Sequence, residues 1–177
     1  MSRIGNKPIS LDDVTVIVEN SKIIVEGKKG KLFIELLPGV EVQVTEKNLI
    51  VVRKNDQKQT KAYHGLIRSL IYNAVEGVSK GYSYNMFLQG IGYRVQKKGN
   101  NLEFSLGYSH PVLYTAPEGI EFNVAGQDKF TVTSIDKQLI GQVCSEIKRL
   151  RKKDSYKGKG IFYEGDVIRK KQGKSVK

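Results

Sequence analysis

The chain has 177 residues, 39% hydrophobic and 27% charged, enough for one full domain or two small ones with ordinary globular cores. Its net charge of +12 implies an anionic partner, and the excess is local: residues 1–81 carry 13 Lys/Arg against 9 Asp/Glu, residues 82–145 carry 5 against 5, and residues 146–177 carry 12 against 4. Cys144 stands alone, which excludes an intrachain disulfide; the first residues lack the apolar stretch of a secretory leader, and no apolar run reaches the ~18 residues of a membrane span, so a cytoplasmic protein is expected.

Residues 2–9, broken by Gly5 and Pro8, read as an extended polar arm. Val14, Val16 and Val18 then alternate, Ile23 and Val25 follow across a turn, and Lys31–Leu36, Glu41–Val44 and Leu49–Arg53 complete a meander of short antiparallel strands. From about Gln59 the period changes. Tyr63, Leu66, Ile67, Leu70, Ile71, Ala74, Val75 and Val78 form a helical apolar stripe, with His64, Arg68, Tyr72, Asn73 and Glu76 on the other side and a stop near Gly77 or Gly81.

The second half repeats this plan. Strands are predicted through Tyr84–Leu88, Tyr93–Lys97, Leu102–Ser105, Pro111–Thr115, Ile120–Val124 and Phe130–Thr133. A helix capped by Asp136 then buries Leu139, Ile140, Val143, Cys144, Ile147 and Leu150, with Gly141 expected to pack closely on the sheet. Gly39 and Gly119, eighty positions apart, open matching strand-turn-strand-helix runs. The expected fold is α+β: two similar small domains from an internal duplication, 1–81 and 82–153, each an antiparallel sheet with one packed helix. A basic tail, 154–177, follows.

That tail interleaves Lys157, Lys159, Arg169, Lys170, Lys171 and Lys174 with Tyr156, Phe162 and Tyr163 and with Gly158, Gly160, Gly165 and Gly173. Cations neutralise phosphates, aromatic faces lie against bases or riboses, and glycines admit a second backbone, so the mixture suits folded nucleic acid. In the second half Arg94, Lys97, Lys98, Tyr108 and His110 are further candidate contacts.

Catalytic readings find no constellation. His64 and His110 fall in different halves, Cys144 lies on an apolar stripe, and no set of ligands has metal-site spacing. Gly173-Lys174-Ser175 has Ile168 where a phosphate-binding loop needs glycine, and Gly90-Ile91-Gly92 is a turn. No cofactor is expected. A DNA architectural role lacks a groove-reading helix, and membrane anchoring lacks an amphipathic basic helix or lipidation site.

Six stretches in order, SRIGNKPI (Ser2–Ile9), HGLIRSLIYNAVEGVSKGY (His64–Tyr82), QGIGYR (Gln89–Arg94), LGYSHPV (Leu106–Val112), IDKQLIGQV (Ile135–Val143) and YKGKGIFYEGDVIRK (Tyr156–Lys170), closely resemble the bacterial-type large ribosomal subunit protein six family. The resemblance spans essentially the whole chain. It implies a non-catalytic protein of the large subunit that binds ribosomal RNA and neighbouring ribosomal proteins. It also implies a site near the base of the factor-binding region, close to the RNA loop that translational GTPases touch. By matching positions it assigns RNA contact to Tyr156, Lys157, Gly158, Lys159, Gly160, Tyr163, Gly165, Arg169 and Lys170. Ser155, Phe162 and Asp166 depart from the commoner Pro, Arg and Glu, which puts a phosphate contact at 162 in doubt.

Overall fold

The computed structural model describes residues 3–19, 21–45 and 47–174; the outer ends of the predicted arm and tail lie outside them. The described chain falls into two compact units, one running to Gly81 and including Ile135–Lys137, the other comprising Tyr82–Ser134 and the chain from Gln138 onward.

In the first unit, β1 (Ile9–Ser10), β2 (Thr15–Glu19), β3 (Lys22–Gly27), β4 (Gly30–Glu35), β5 (Val40–Val44) and β6 (Asn48–Arg53) precede α1 (Lys58–Ser79). They make two antiparallel sheets, β1-β6-β5 and β2-β3-β4. The predicted arm therefore ends as a two-residue strand, Ile9 opposite Leu49 and Ser10 opposite Asn48. Inward residues of both sheets, among them Ile23, Val25, Val40, Leu49 and Val51, share one core with α1.

Because α1 packs on strands of both sheets, its inward stripe is rotated from the predicted one. Thr60, His64, Ile67, Ile71, Ala74, Val75 and Val78 face in, while Leu66 is 48% exposed and Leu70 is only half-buried. His64, predicted on the polar side, is buried with its Nε2 2.9 Å from the Val51 carbonyl oxygen, an edge polar group that a ring N–H satisfies. Ile67→Ala should thus cost ~2–5 kcal/mol in a urea melt, and Leu66→Ala well under ~1 kcal/mol. The helix closes at Gly81, at φ +76°, whose N–H donates back to the Glu76 carbonyl at 3.3 Å.

The second unit contains β7 (Tyr82–Gln89), β8 (Arg94–Lys98), β9 (Asn101–Ser105), β10 (Val112–Tyr114), β11 (Ile120–Ala125), β12 (Lys129–Ser134), α2 (Lys137–Leu150) and β13 (Gly160–Tyr163). The sheet β8-β9-β10 matches β2-β3-β4, and β11-β12-β7 matches β5-β6-β1. The core gathers Met86, Leu102, Phe104, Phe130 and Val132 under Ile140, Val143, Cys144 and Ile147 of α2. Burial pushes the Cys144 thiol up to about 12, as for an inert core residue.

Gly141 departs from expectation. A Cβ built there meets nothing within 4 Å, because this half-buried residue on the flank of α2 lines an open hollow with Ser83 and Tyr84 of β7 and does not pack closely on the sheet. Gly141→Ala should therefore stabilise the unit by up to ~1 kcal/mol, read from thermal or urea melts.

The larger departure is β13. Residues 154–177 read as a tail apart from the domains, yet Gly160–Tyr163 pairs antiparallel with β7 as the fourth strand of β11-β12-β7-β13. Alternation explains why the segment docks: Ile161 and Tyr163 turn to the α2 core, and Phe162 turns to the other face, opposite Phe87. The two phenylalanine rings stack with centroids 5.3 Å apart, and Ile161 and Phe162 are fully buried.

Candidate nucleic-acid interface

The surface is built where the chain leaves α2. Arg151 Nε donates to the Tyr93 hydroxyl at 3.0 Å, and its guanidinium lies 4.8 Å from the centre of the Tyr108 ring. The Tyr108 hydroxyl in turn donates to the Leu150 carbonyl at 2.9 Å. These contacts fasten the 106–111 loop to the end of α2 and aim the next residues outward.

Residues 154–160 then form a closed loop. Asp154 N–H donates to the Lys159 carbonyl at 2.8 Å, Gly158 N–H to the Asp154 carbonyl at 2.9 Å, and Tyr156 N–H to the Asp154 carboxylate at 2.8 Å. Gly158 (φ +69°) and Gly160 (φ +141°) hold backbone conformations that side chains resist. A Cβ at Gly160 would come 2.9 Å from the Lys152 carbonyl oxygen and 3.0 Å from Lys153 Cα, so that crossing requires glycine. The loop exposes Tyr156 (61%) and Lys157, with Lys159 half-buried beside them.

A salt-bridged buckle follows β13. The Asp166 carboxylate accepts from Lys153 at 2.6 Å, Lys148 at 3.2 Å and the Tyr163 N–H at 3.1 Å. The Lys153 hydrogen bond, with smaller help from Tyr163 and Lys148, holds this carboxyl down at about 2. The folded state thus favours ionised Asp166. Its stabilisation is complete above about pH 4, the usual unfolded range, and is lost as pH falls towards 2. Asp166→Asn should lower stability at neutral pH by on the order of 2 kcal/mol and flatten the acid limb of the stability curve. An unchanged limb would remove Asp166 from this role.

Beyond the buckle the chain returns. Lys171 N–H donates to the Ser155 carbonyl at 2.9 Å, and a Cβ at Gly158 would lie 3.0 Å from Lys170 Cε. Lys170 and Lys171 are thereby brought beside the Tyr156–Lys159 loop. Lys152, Lys157, Lys159, Arg169, Lys170, Lys171 and Lys174 make no ion pair among the described residues, whereas Lys148 and Lys153 share the Asp166 carboxylate. The assembled surface has a closed glycine-bearing loop, the exposed Tyr156 ring and a dense set of cations without ion pairs, which is chemistry for phosphates and stacked bases.

The other expected residues fall as follows. Gly165 forms the turn after β13 at φ +91°. Tyr163 is half-buried, its ring 5.8 Å from that of Tyr84 and 4.0 Å from Lys148 Nζ, so it supports the loop more than it faces solvent. Phe162 is buried and supplies no phosphate contact. Tyr108 joins the surface through Arg151, with His110 exposed in the same loop. Arg94 and Lys97 are both exposed, but alternation along β8 turns them to opposite faces, and Lys98 is paired with Glu103 at 2.6 Å. Sequence alone does not single out Lys152, although it stands in the basic run 148–153. The clasp of Lys171 on Ser155 is a backbone contact, and no side-chain pattern announces it.

Among the described residues no group of three or more His, Cys, Asp or Glu is placed to hold a metal ion. The sequence model of a family described as ribosomal protein L6 matches the chain twice, at residues 12–81 and 89–164, which together make up most of its length.

Proposed function

The chain belongs to the ribosomal protein L6 family and is accordingly a structural, RNA-binding protein of the large ribosomal subunit; from that premise we propose that it anchors to large-subunit ribosomal RNA through the clasped surface of residues 152–174. The observation that carries this is the return of the chain onto the 154–160 loop. It gathers Lys157, Lys159, Lys170 and Lys171 around exposed Tyr156 with no carboxylate to neutralise them. Folded RNA is recognised there through phosphates, 2′-hydroxyls and stacking, without a code of base contacts.

Tyr108, His110 and Arg94 extend the contact from the second unit. The protein works without cofactor or catalysis, in the cytoplasmic ribosome, beside other ribosomal proteins and with neither DNA nor membrane as partner. The proposal includes a position near the base of the factor-binding region, within reach of translational GTPases, supported by the sequence resemblance. A short crosslinker between this chain and a bound GTPase tests that position, and its failure to join them would remove it. For the RNA contact, binding to large-subunit ribosomal RNA, duplex DNA and anionic vesicles is compared at two salt concentrations. Preference for the ribosomal RNA at the higher salt is the expected result; equal binding to all three would leave only nonspecific electrostatics.

A further inference from the structure

The sheet β2-β3-β4 of the first unit carries an apolar stripe on its solvent face. Ile17 stands opposite Ile24, and Ile24 opposite Phe33, so three large side chains lie side by side across all three strands. Phe33 is 69% exposed and Ile17 43%. A lone exposed aliphatic residue is ordinary, whereas a contiguous stripe inside a polar rim marks an interaction site. The same registers put Glu19, Lys22 and Glu35 in a row at one end and Thr15, Glu26 and Lys31 at the other.

The fold does not require this stripe, and the duplication supplies the control. In β8-β9-β10 the inward row Val95, Phe104, Val112 repeats Val16, Val25, Leu32, yet the outward row that corresponds to Ile17, Ile24, Phe33 is Gln96, Glu103, Leu113. The flanks differ as well: Arg94 and Lys98 of the second unit stand where the first has Thr15 and Glu19.

We propose that this face of the first unit is a docking surface for a neighbouring protein of the ribosomal particle, one that presents apolar side chains flanked by lysine or arginine. The inference rests on the ribosomal reading above. The rim sets Glu19, Glu26 and Glu35 against Lys22 and Lys31, a net negative charge that opposes phosphates, so a basic protein and not RNA complements it. Glu26 is paired with Lys31 at 2.9 Å, while Glu19 and Glu35 make no ion pair among the described residues and are available to the partner. A second copy of this chain would set rims of the same net sign against each other. Phe33, aromatic and most exposed, is the anchor.

The test uses purified large subunits carrying the full chain with a photoreactive side chain in place of Ile17. The expected crosslink joins a ribosomal protein through a peptide rich in Lys or Arg. Adding Phe33→Glu should lower its yield roughly tenfold or more while co-sedimentation and the urea midpoint stay unchanged. A crosslink to RNA or to a second copy, a silent probe, or a yield indifferent to Phe33→Glu would each overturn the docking surface alone. A chain that fails to co-sediment with large subunits would overturn the ribosomal reading and this inference with it.

Discussion

Truncation after Lys153 should unfold the second unit, whereas truncation after Asp166 should leave it folded and impair only RNA binding. The first cut removes β13, strips the cover from Phe87 and takes away Ile161 and Phe162, both fully buried. Loss of one buried phenylalanine side chain alone costs ~3–5 kcal/mol. Adding Ile161 and the strand's ladder to β7 brings the loss to the scale of a whole domain's stability, ~5–15 kcal/mol. The second cut removes Arg169, Lys170, Lys171, Lys174 and Lys177 and no carboxylate, but spares β13 and the Asp166 buckle. Phe162→Ala is the single-site version, with an expected loss of ~3–5 kcal/mol in a urea melt. A cooperative, near-native melt for the chain ending at Lys153 would show that β13 is dispensable.

The second large effect is electrostatic. Replacing Lys157, Lys159, Lys170 and Lys171 together by glutamine should flatten the log–log salt dependence of RNA binding by ~3, a little under ~1 for each phosphate released. Stability should hardly move, because these side chains make no ion pair in the fold among the described residues. The corresponding change at Lys148 and Lys153 should do the reverse. Those two ammonium groups are held by Asp166, so their loss weakens the buckle and leaves the salt slope nearly unaltered. Equal slopes for the two sets would mean that pairing in the fold does not sort structural from RNA-facing lysines.

The repeated strands and both helices are legible in the sequence because their apolar periods are strong and turn glycines open several of them, as at Pro38-Gly39 and Glu118-Gly119. The phase of α1 is not. Apolar spacing alone extends the stripe to Leu66 and Leu70 at one edge; Ile67, Ile71, Ala74, Val75 and Val78 do face in, but the helix shared by two sheets is turned so that His64 joins them and its ring finds the Val51 carbonyl. Strand β13 is hidden for another reason. It has no counterpart in the first half, and four residues between glycines are too few to show alternation against a lysine-rich background.

At the interface, composition identifies the basic stretch and its aromatic and glycine residues. It cannot separate Lys148 and Lys153, held by one carboxylate, from Lys157, Lys170 and Lys171, which none holds. Asp166 stands out in the sequence only as a departure from a commoner glutamate. In the fold it is the group that ties the end of β13 to Lys148 of α2 and to Lys153. Phe162 follows the same logic: where the resemblance leads one to expect a cation, the fold buries a ring stacked on Phe87.

On the proposed function, residues 152–174 grip ribosomal RNA while the rest of the second unit holds them in shape. Mapping RNA crosslinks onto this chain within native large subunits tests it most directly. Crosslinks concentrated at Tyr156, Lys157 and Lys159 and at Arg169, Lys170 and Lys171 are the predicted result. Crosslinks confined to the first unit, with residues 152–174 accessible to solvent in the assembled particle, would contradict the account.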